Sequence, residues 1–293
     1  MMSEDVPPAL ETRGLTFTYQ EGTEALTEVD FRVADGEFVA ILASNGSGKT
    51  TLLKILMNVL HADVGEVMMG GRNVDEIPGA ELYQRAGLVL QDPNDQLFAP
   101  TVGEDVAFGP RNLELDEEEV QGRVEEALDA VGGIHLRERA IHHLSFGERK
   151  RVCMAGVLAM RPSILILDEP TAGLDPAGED EMLHLLHSLN AERGITVVLA
   201  THSVDLLPLF TDRIYVLNNG RVMREGPSEE IFTDHRMVEE ASLRLPYISR
   251  LLHEMKNEDG VPIEGLPLTV REARMRLVDL IPADIIADQL EEE

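Results

Sequence analysis

The feature that most constrains the fold is the stretch "ILASNGSGKTTLL", from Ile41 to Leu53. A strand-like apolar segment runs into a loop rich in glycine and serine, and helical spacing begins at Lys49. Glycines let a backbone turn tightly, and the first N–H groups of a helix bind anions. The stretch differs from the phosphate-binding pattern G-x-x-x-x-G-K-[ST] only at Ala43, where the pattern has glycine. Taken alone, it fits either a nucleotide site with one substitution or an ordinary Gly/Ser turn before a helix.

Beyond this stretch, apolar segments of strand length alternate with segments of helical spacing. Strands are predicted over the ranges 15–19, 25–33, 37–43, 86–91, 163–168 and 195–201. Helices are predicted over the ranges 49–60, 102–132, 145–160 and 177–193, and a hairpin over 213–226. Short buried strands separated by helices form a largely parallel sheet that is covered on both faces. The pattern therefore predicts an α/β fold with a mainly parallel sheet.

The pattern of predicted elements changes after about residue 227, where helical segments continue but buried strands stop. We therefore predict a main α/β domain over 10–234 and a small helical appendage over 235–293. Apolar residues at helical spacing within 247–255 and 270–281 give the appendage a face that needs covering. This face is interpreted as a dimer contact, and packing on the chain's own domain is the alternative.

Charge and cysteine content narrow the class of function. The chain has 54 acidic against 25 basic residues, a formal net charge of −29, which repels nucleic-acid phosphates and anionic lipids. We therefore expect no nucleic-acid partner. There is no apolar run of the roughly 18 residues that a transmembrane helix needs, and the acidic start "MMSEDVPPALE" does not resemble a secretion signal. The single cysteine, Cys153, is interpreted as a buried thiol of a cytoplasmic protein.

The glycine-rich loop supplies candidate ligands for a nucleotide. Gly46 and Gly48 let the backbone wrap phosphate oxygens, Lys49 places a positive charge on the β- and γ-phosphates, and Thr50 offers a hydroxyl to Mg²⁺. An alanine at the first pattern position is tolerated if its φ is negative. The candidate ATP-binding residues of this loop are Ala43, Ser44, Asn45, Gly46, Ser47, Gly48, Lys49, Thr50 and Thr51.

A second element strengthens this interpretation. In "ILILDEP" (164–170), four apolar residues precede Asp168, as in strands that hold a Mg²⁺-coordinating aspartate. Glu169 follows directly and is a candidate general base for an attacking water. A buried strand that ends in an acidic turn would give the same letters. The strand and the loop together favour an ATPase that uses ATP and Mg²⁺.

The segment "LSFGERKR" (144–151) resembles the signature L-S-G-G-Q of the ATP-binding cassette superfamily. Leu144, Ser145 and Gly147 match it, whereas Phe146 and Glu148 replace a glycine and a glutamine. In the family this signature opens a helix and contacts the γ-phosphate of ATP held by a partner subunit, which implies that role for Ser145 and Gly147. A serine N-cap within a capping box is the structural alternative.

Other segments resemble the family's remaining landmarks. Gln91 is similar to the glutamine that reaches Mg²⁺ and the attacking water, and Asp175 in "AGLDP" lies in the loop that crosses the dimer. His202, in "LATHSVD", resembles the histidine that contacts the γ-phosphate, and Tyr19 resembles the aromatic residue that stacks on adenine. A packing histidine and a strand-edge tyrosine are the alternatives. The implied catalytic residues are Glu169, His202 and Gln91, and the implied metal ligands are Thr50, Gln91 and Asp168.

The stretch "QDPNDQLFAPTVGEDVAFGPRNLEL" (91–115) resembles the ATPases of energy-coupling factor transporters, including the cobalt-type cassettes. The resemblance implies an ABC-type P-loop NTPase with an antiparallel β subdomain and a helical signature subdomain over about 92–160. It also implies a groove for coupling helices of a membrane partner. The candidate lining residues are Leu97, Phe98, Val102, Val106 and Phe108, although packing against the cassette itself is the alternative.

The subfamily also implies partners and a location. We expect a homodimer or a heterodimer of ATPases, bound at the cytoplasmic face of the membrane. The expected membrane partners are a multi-span transmembrane coupling protein and a substrate-binding component. The implied activity is ATP hydrolysis that drives uptake of cobalt, nickel or a vitamin. A soluble or regulatory ABC ATPase that is not coupled to transport is the alternative.

Overall fold

The computed structural model describes residues 7–281, and the predictions for the acidic start and for 282–293 lie partly or wholly outside them. Within that range the strands are β1 Leu10–Thr18, β2 Glu24–Val33, β3 Phe38–Leu42, β4 Val64–Met69, β5 Arg72–Asn73, β6 Ala86–Val89, β7 Ile164–Asp168, β8 Thr196–Thr201, β9 Arg213–Asn218 and β10 Arg221–Gly226. The helices are α1 Lys49–Leu56, α2 Gly79–Arg85, α3 Val102–Asn112, α4 Glu117–Ala130, α5 Phe146–Leu158, α6 Pro176–Arg193, α7 Leu207–Phe210, α8 Ser228–Thr233, α9 His235–Glu240, α10 Tyr247–Asn257 and α11 Val270–Val278.

A six-stranded sheet forms the centre of the fold, in the order β10-β9-β3-β8-β7-β6. Its strands pair in parallel except for the hairpin of β9 and β10. Every residue of β3, β7 and β8 is buried, because helices cover both faces of a parallel sheet. The predicted α/β fold with a mainly parallel sheet is confirmed.

The predicted antiparallel subdomain is the second sheet, in the order β2-β1-β4-β5. Strand β1 begins earlier than predicted, at Leu10. Its pairing register with β2 shifts between Thr12 and Leu15, which interrupts the alternation of side chains that a strand prediction uses. Gly14 lies at this irregularity with a φ of 56°, so the sequence there resembles a strand end. Strands β4 and β5 and helix α2 were missed by the sequence patterns.

Two of the predicted helices have different bounds. Helix α1 ends at Leu56 because Asn58 adopts a left-handed backbone with a φ of 55°, and its N–H bonds back to Ile55 O. The range 102–132 contains two helices, α3 and α4, and the second begins where Asp116 accepts a hydrogen bond from the N–H of Glu119. Both helices pack with α5 in one apolar core.

The C-terminal segment is helical, as far as the structure describes it. Met237 and Val238 of α9 are buried in the core of the main domain. Helices α10 and α11 instead share a separate small cluster formed by Leu252, Ile263 and Ala273. Their other apolar residues include the exposed Tyr247. The domain boundary at 235 and the dimer contact stay predictions.

Two further expectations from the sequence concern the single cysteine and transmembrane helices. Cys153 is a free, buried cysteine, and burial raises the pKa of its thiol to about 12. Within residues 7–281, no helix is long and apolar enough to span a bilayer.

Candidate active site

Ala43 sits at the end of β3, where the phosphate-binding pattern has glycine. It is fully buried and keeps a negative φ, and its N–H donates to Thr201 O at 3.1 Å. Its methyl group belongs to the same core cluster as Ile41 and Ala200. A residue with a Cβ therefore fits this position without strain.

The two glycines of the loop, of which Gly48 occupies the second glycine position of the pattern, differ from Ala43 in this respect. Gly46 and Gly48 have φ values of 80° and 98°, a region that favours glycine. A Cβ on Gly48 would also lie 2.5 Å from Ala25 O. Gly48 is therefore required by its backbone conformation and by the close approach of another backbone segment.

The loop leads directly into the N-terminus of α1. Gly48 is the N-cap of α1, and among the described residues no side chain caps the helix start. Ser44 Oγ and Ser47 Oγ lie 2.8 Å apart, and the N–H of Gly220 donates to Ser47 O. The bond from Gly220 thus anchors the loop to the β9–β10 turn, while the first N–H groups of α1 remain available to an anion.

Lys49 folds back over the loop that precedes it. Its Nζ donates to Ala43 O at 2.8 Å and to Ser44 O at 3.2 Å, and lies 3.5 Å from Glu169 Oε1. The side chain is only 7% exposed. A buried ammonium group held by carbonyl oxygens can exchange these partners for the oxygens of a phosphate.

The residues predicted to hold Mg²⁺ lie at the start of α1 and at the end of β7. Thr50 Oγ1 donates to Asp168 Oδ2 at 2.6 Å. Asp168 Oδ1 is buried and has no hydrogen-bond partner among the described residues. Burial raises the pKa of Asp168, partly offset by the bond from Thr50.

These atoms fit a divalent cation. A buried carboxylate oxygen without a partner, beside a hydroxyl, is the kind of hard oxygen donor set that Mg²⁺ prefers. The side chain of Gln91 opens onto the same cavity. Within residues 7–281 no cluster of three or more His, Cys, Asp or Glu could hold a metal.

Glu169 is the most constrained acid of the site. Its side chain is 5% exposed, and its φ of 47° places the backbone in the left-handed region. Oε1 lies 2.8 Å from His202 Nδ1, and Oε2 accepts a hydrogen bond from Thr201 Oγ1 at 3.1 Å. The carboxylate is therefore fixed between the ends of β7 and β8 and faces Lys49.

Most of the predicted nucleotide ligands line one cavity of about 520 Å³. The lining residues are Tyr19, Thr23, Glu24, Ala25, Asn45, Gly46, Gly48, Lys49, Thr50, Thr51, Gln91, Asp168 and Glu169. At one end, Tyr19 Oη lies 2.9 Å from Thr51 Oγ1, and the Tyr19 ring packs edge-on against Phe17. Sequence reasoning missed the contact of Thr201 with Glu169, although "LATHSVD" places Thr201 directly before His202.

The signature residues lie apart from this cavity. Ser145 is the N-cap of α5 and forms a capping box with Glu148, whose carboxylate accepts the N–H of Ser145 at 2.7 Å. This bond lowers the pKa of Glu148. Gly147 follows in the first turn of α5, and Asp175 caps α6 by accepting the N–H of Gly178. The glutamate that departs from the signature thus stabilises the start of the signature helix.

A second cavity, of about 570 Å³, matches the predicted groove only in part. Phe98 and Phe108 line it, are 64% and 50% exposed, and pack edge-to-face with ring centroids 4.7 Å apart. Val102 and Val106 are fully buried in the core, so their assignment to the groove is wrong. They lie on the face of α3 that packs against α4 and α5, and Leu97 also packs against this core. The remaining wall includes residues from α1, α2, β6 and α5.

Known proteins with similar sequences match nearly the whole chain. Residues 26–172 match the ABC transporter family. The energy-coupling factor transporter ATP-binding protein EcfA of Methanocaldococcus jannaschii is 44% identical over 274 residues, which cover 93% of this chain and 98% of the relative. The protein of the same name from Methanosphaera stadtmanae is 45% identical over 267 residues, covering 90% and 96%.

Solved structures share the fold. CbiO1 of Clostridium perfringens, part of the ABC transporter complex CbiONQ, has a TM-score of 0.73 and 40% identity, covering 84% of this chain and 99% of CbiO1. The dimeric ATP-binding cassette MJ0796, in a post-hydrolysis state with ADP and Pi, has a TM-score of 0.68 and 31% identity, covering 75% and 98%. Since both the fold and the sequence match over most of their length, the chain is an ATPase that belongs to the ABC transporter family, within its energy-coupling factor ATP-binding proteins.

Proposed function

We propose that the chain is the ATP-hydrolysing subunit of an importer at the cytoplasmic face of the membrane, and that it drives uptake of cobalt, nickel or a vitamin. The observation that carries the catalytic part is the buried Glu169 carboxylate, 3.5 Å from Lys49 Nζ and 2.8 Å from His202 Nδ1. The transport part is supported by the kinship with EcfA proteins and with CbiO1. A soluble or regulatory ATPase is the alternative, and the exposed aromatic groove of Phe98 and Phe108 favours a membrane partner.

Nucleotide binding is proposed to use the loop and the start of α1. The first N–H groups of α1 bind phosphate oxygens, and Lys49 exchanges the carbonyls of Ala43 and Ser44 for the β- and γ-phosphates. The Tyr19 ring, which borders the same cavity, covers the adenine. A bound Mg²⁺ would be held by Thr50, Asp168 and Gln91, and it would neutralise charge on the transferring phosphoryl group.

Hydrolysis is proposed to depend on Glu169. Its carboxylate accepts a proton as the oxygen of water bonds to the γ-phosphorus and the bond between that phosphorus and the ADP oxygen breaks. Thr201 and His202 hold the carboxylate in one orientation through their bonds to its two oxygens. Lys49 stabilises the charge that develops on the phosphate oxygens.

A complete site is proposed to need a second ATPase subunit, in a homodimer or a heterodimer. Ser145 and Gly147 lie away from the chain's own ATP cavity, at the N-terminus of α5, where the backbone N–H groups suit an anion. We infer that they contact the γ-phosphate bound by the second subunit. Asp175, at the start of α6, would lie in the loop that crosses between the subunits.

The loop substitution gives a test of the binding model. Ala43→Gly should keep ATPase activity within about tenfold of the parent's, or roughly 1.4 kcal/mol of barrier. The reason is that glycine can adopt the negative φ that Ala43 has. Gly48→Ala should lose far more, since its Cβ would meet Ala25 O at 2.5 Å. Steady-state phosphate release measures both. A collapse in Ala43→Gly, or normal activity in Gly48→Ala, would contradict this account of the loop.

The groove gives a test of coupling to transport. Phe108→Glu places a charge on a side chain that is 50% exposed, so the fold and the ATPase activity of the isolated chain should persist. When the chain is co-expressed with its multi-span membrane partners, this variant should lose ATP-dependent uptake at least tenfold. The measured quantity is accumulation of labelled cobalt, nickel or biotin in cells.

Leu209→Glu is the matched control for added charge, because Leu209 in α7 is 53% exposed and does not line the groove. Its uptake should fall less than that of Phe108→Glu. If no solute accumulates in a manner that depends on Glu169, the chain is not an uptake ATPase for these solutes. Retained uptake in Phe108→Glu would show that the groove does not receive the partner.

A further inference from the structure

We propose that Lys150 is a positioning residue for hydrolysis, which holds the backbone of Glu169 from the signature helix. Its Nζ donates to Glu169 O at 2.8 Å. Lys150 is 3% exposed and lies in α5, the helix that begins after the signature serine Ser145. The helix that would contact one nucleotide is therefore bonded directly to the acid that would act on another. The inference rests on the proposed role of Glu169 as the base.

A buried lysine in this place is costly, which makes its contacts informative. Burial lowers the pKa of Lys150, and the nearby charges of Glu169 and Asp168 act in the opposite direction. Burying an ammonium group is unfavourable unless it is hydrogen-bonded and near opposite charge. Both conditions are met at the end of β7, where Nζ donates to Glu169 O and the charges of Glu169 and Asp168 are near. Only four of the chain's basic residues are lysines, and two of these are buried against Glu169, Lys49 near its carboxylate and Lys150 at its backbone carbonyl.

The backbone at Glu169 needs such support. A left-handed φ of 47° in a residue with a side chain costs on the order of 1 kcal/mol. The N–H of Glu169 donates to Ala200 O at 2.9 Å, and its carbonyl also accepts the N–H of Ala172 at 3.1 Å. The bond from Lys150 adds a charged donor to this carbonyl. Because a peptide unit is planar, fixing the carbonyl restricts the direction in which the Glu169 side chain leaves the backbone.

Phe146 extends the link to the loop that follows Glu169. Its ring lies 5.5 Å from Lys150 Nζ, within the range of a cation–π contact. It also packs on Gly173, where a Cβ would lie 2.8 Å from the ring. Phe146 is one of the two residues that depart from the signature pattern, and here it joins the signature helix to residues after β7. Lys150 therefore joins α5 to Glu169, and Phe146 joins it to the loop that follows Glu169.

The test separates binding of ATP from turnover. Lys150→Met keeps the length and apolar stem but removes the donor, and we expect kcat to fall at least tenfold with the Kd for a fluorescent ATP analogue within threefold. Lys150→Gln keeps an N–H donor, so its kcat should lie between that of Lys150→Met and that of the parent, about threefold below the parent's. Arg151→Met is the matched control on the same helix, since Arg151 pairs with Glu181 and not with the site. It should retain the parent's kcat.

A double-mutant cycle distinguishes positioning from general damage. Because Lys150 would act through Glu169, adding Lys150→Met to Glu169→Gln should lower kcat no further than Glu169→Gln alone. A parent-like kcat in Lys150→Met, a loss of ATP affinity that matches the loss of kcat, or a glutamine variant no better than the methionine variant would overturn the inference. If Lys150→Met does not fold, the glutamine variant decides, and a parent-like kcat there overturns it.

The same measurements separate this inference from the proposed function. If Glu169→Gln turns over ATP like the parent, the role of the base is wrong and the inference falls with it. If Glu169→Gln is inactive while Lys150→Met is normal, only the inference is wrong.

Discussion

Glu169→Gln should lower ATP turnover by on the order of a hundredfold or more, as expected for the loss of a positioned base. The amide keeps the shape of the side chain and a hydrogen bond to His202 or Thr201, but it cannot accept a proton from water. ATP binding should survive, because Gly48, Lys49 and Asp168 are unchanged. Phosphate release under saturating Mg-ATP measures the effect.

With hydrolysis blocked, the ATP-bound dimer should accumulate. Size-exclusion chromatography in Mg-ATP should then show a larger species for Glu169→Gln than for the parent. Glu181→Gln is the matched control, because Glu181 is a surface acid on α6 with a side chain that is 62% exposed. A turnover within a factor of a few of the parent's would contradict the assignment of Glu169 as the base. A variant that stays monomeric while hydrolysis is blocked would contradict closure around ATP.

The central sheet could be predicted from the sequence because its signal is local. Each buried strand is a short, continuous apolar run such as "ILILD" (164–168), and the whole of β7 is buried. Strand β4, "VGEVMM", was missed because it begins with an exposed valine and a glycine and has only two buried residues. Its partner β5 has two residues, too few for any periodicity. These strands depend on pairing, β4 with β1 and β5 with β4, and not on their own composition.

The groove shows where helical periodicity is insufficient. Val102, Val106 and Phe108 all lie within the short segment "VGEDVAF" (102–108), and the sequence does not say which of them face inward. The packing of α3 against α4 and α5 decides this, burying Val102 and Val106 and leaving Phe108 half exposed. Exposure of an apolar residue is a tertiary property, so the exposed groove could be placed only approximately.

The residues of the candidate site show the same difference between local patterns and contacts of distant segments. The loop, Asp168 and Glu169 were found because each is next to a strong local pattern. The contacts of Thr201 and Lys150 with Glu169 were not, because they depend on distant segments. Strand β8 pairs in parallel with β7 so that Asp168 is opposite Ala200, which brings Thr201 beside Glu169. Helix α5 precedes β7 in the sequence, and its Lys150 contacts Glu169 from 19 residues earlier in the chain.

Lys49→Ala should reduce the affinity for Mg-ATP by at least about a hundredfold, or roughly 2.7 kcal/mol. The ammonium group is the cation held against the carbonyls of Ala43 and Ser44 and 3.5 Å from Glu169. Its removal leaves those oxygens facing the phosphates without a positive charge. Titration with a fluorescent ATP analogue measures the affinity. Lys256→Ala, in α10, is the control and should bind like the parent.

Near-normal binding by Lys49→Ala would mean that the nucleotide site lies elsewhere. The loss should also have two separable parts, a missing attraction to phosphate and a new repulsion from the unpaired Glu169 carboxylate. Lys49→Ala combined with Glu169→Gln removes the repulsion alone, so the double variant should bind ATP more tightly than Lys49→Ala. If the two bind equally, the 3.5 Å contact between Lys49 and Glu169 has no electrostatic part in binding, and the lysine acts on the phosphates by itself.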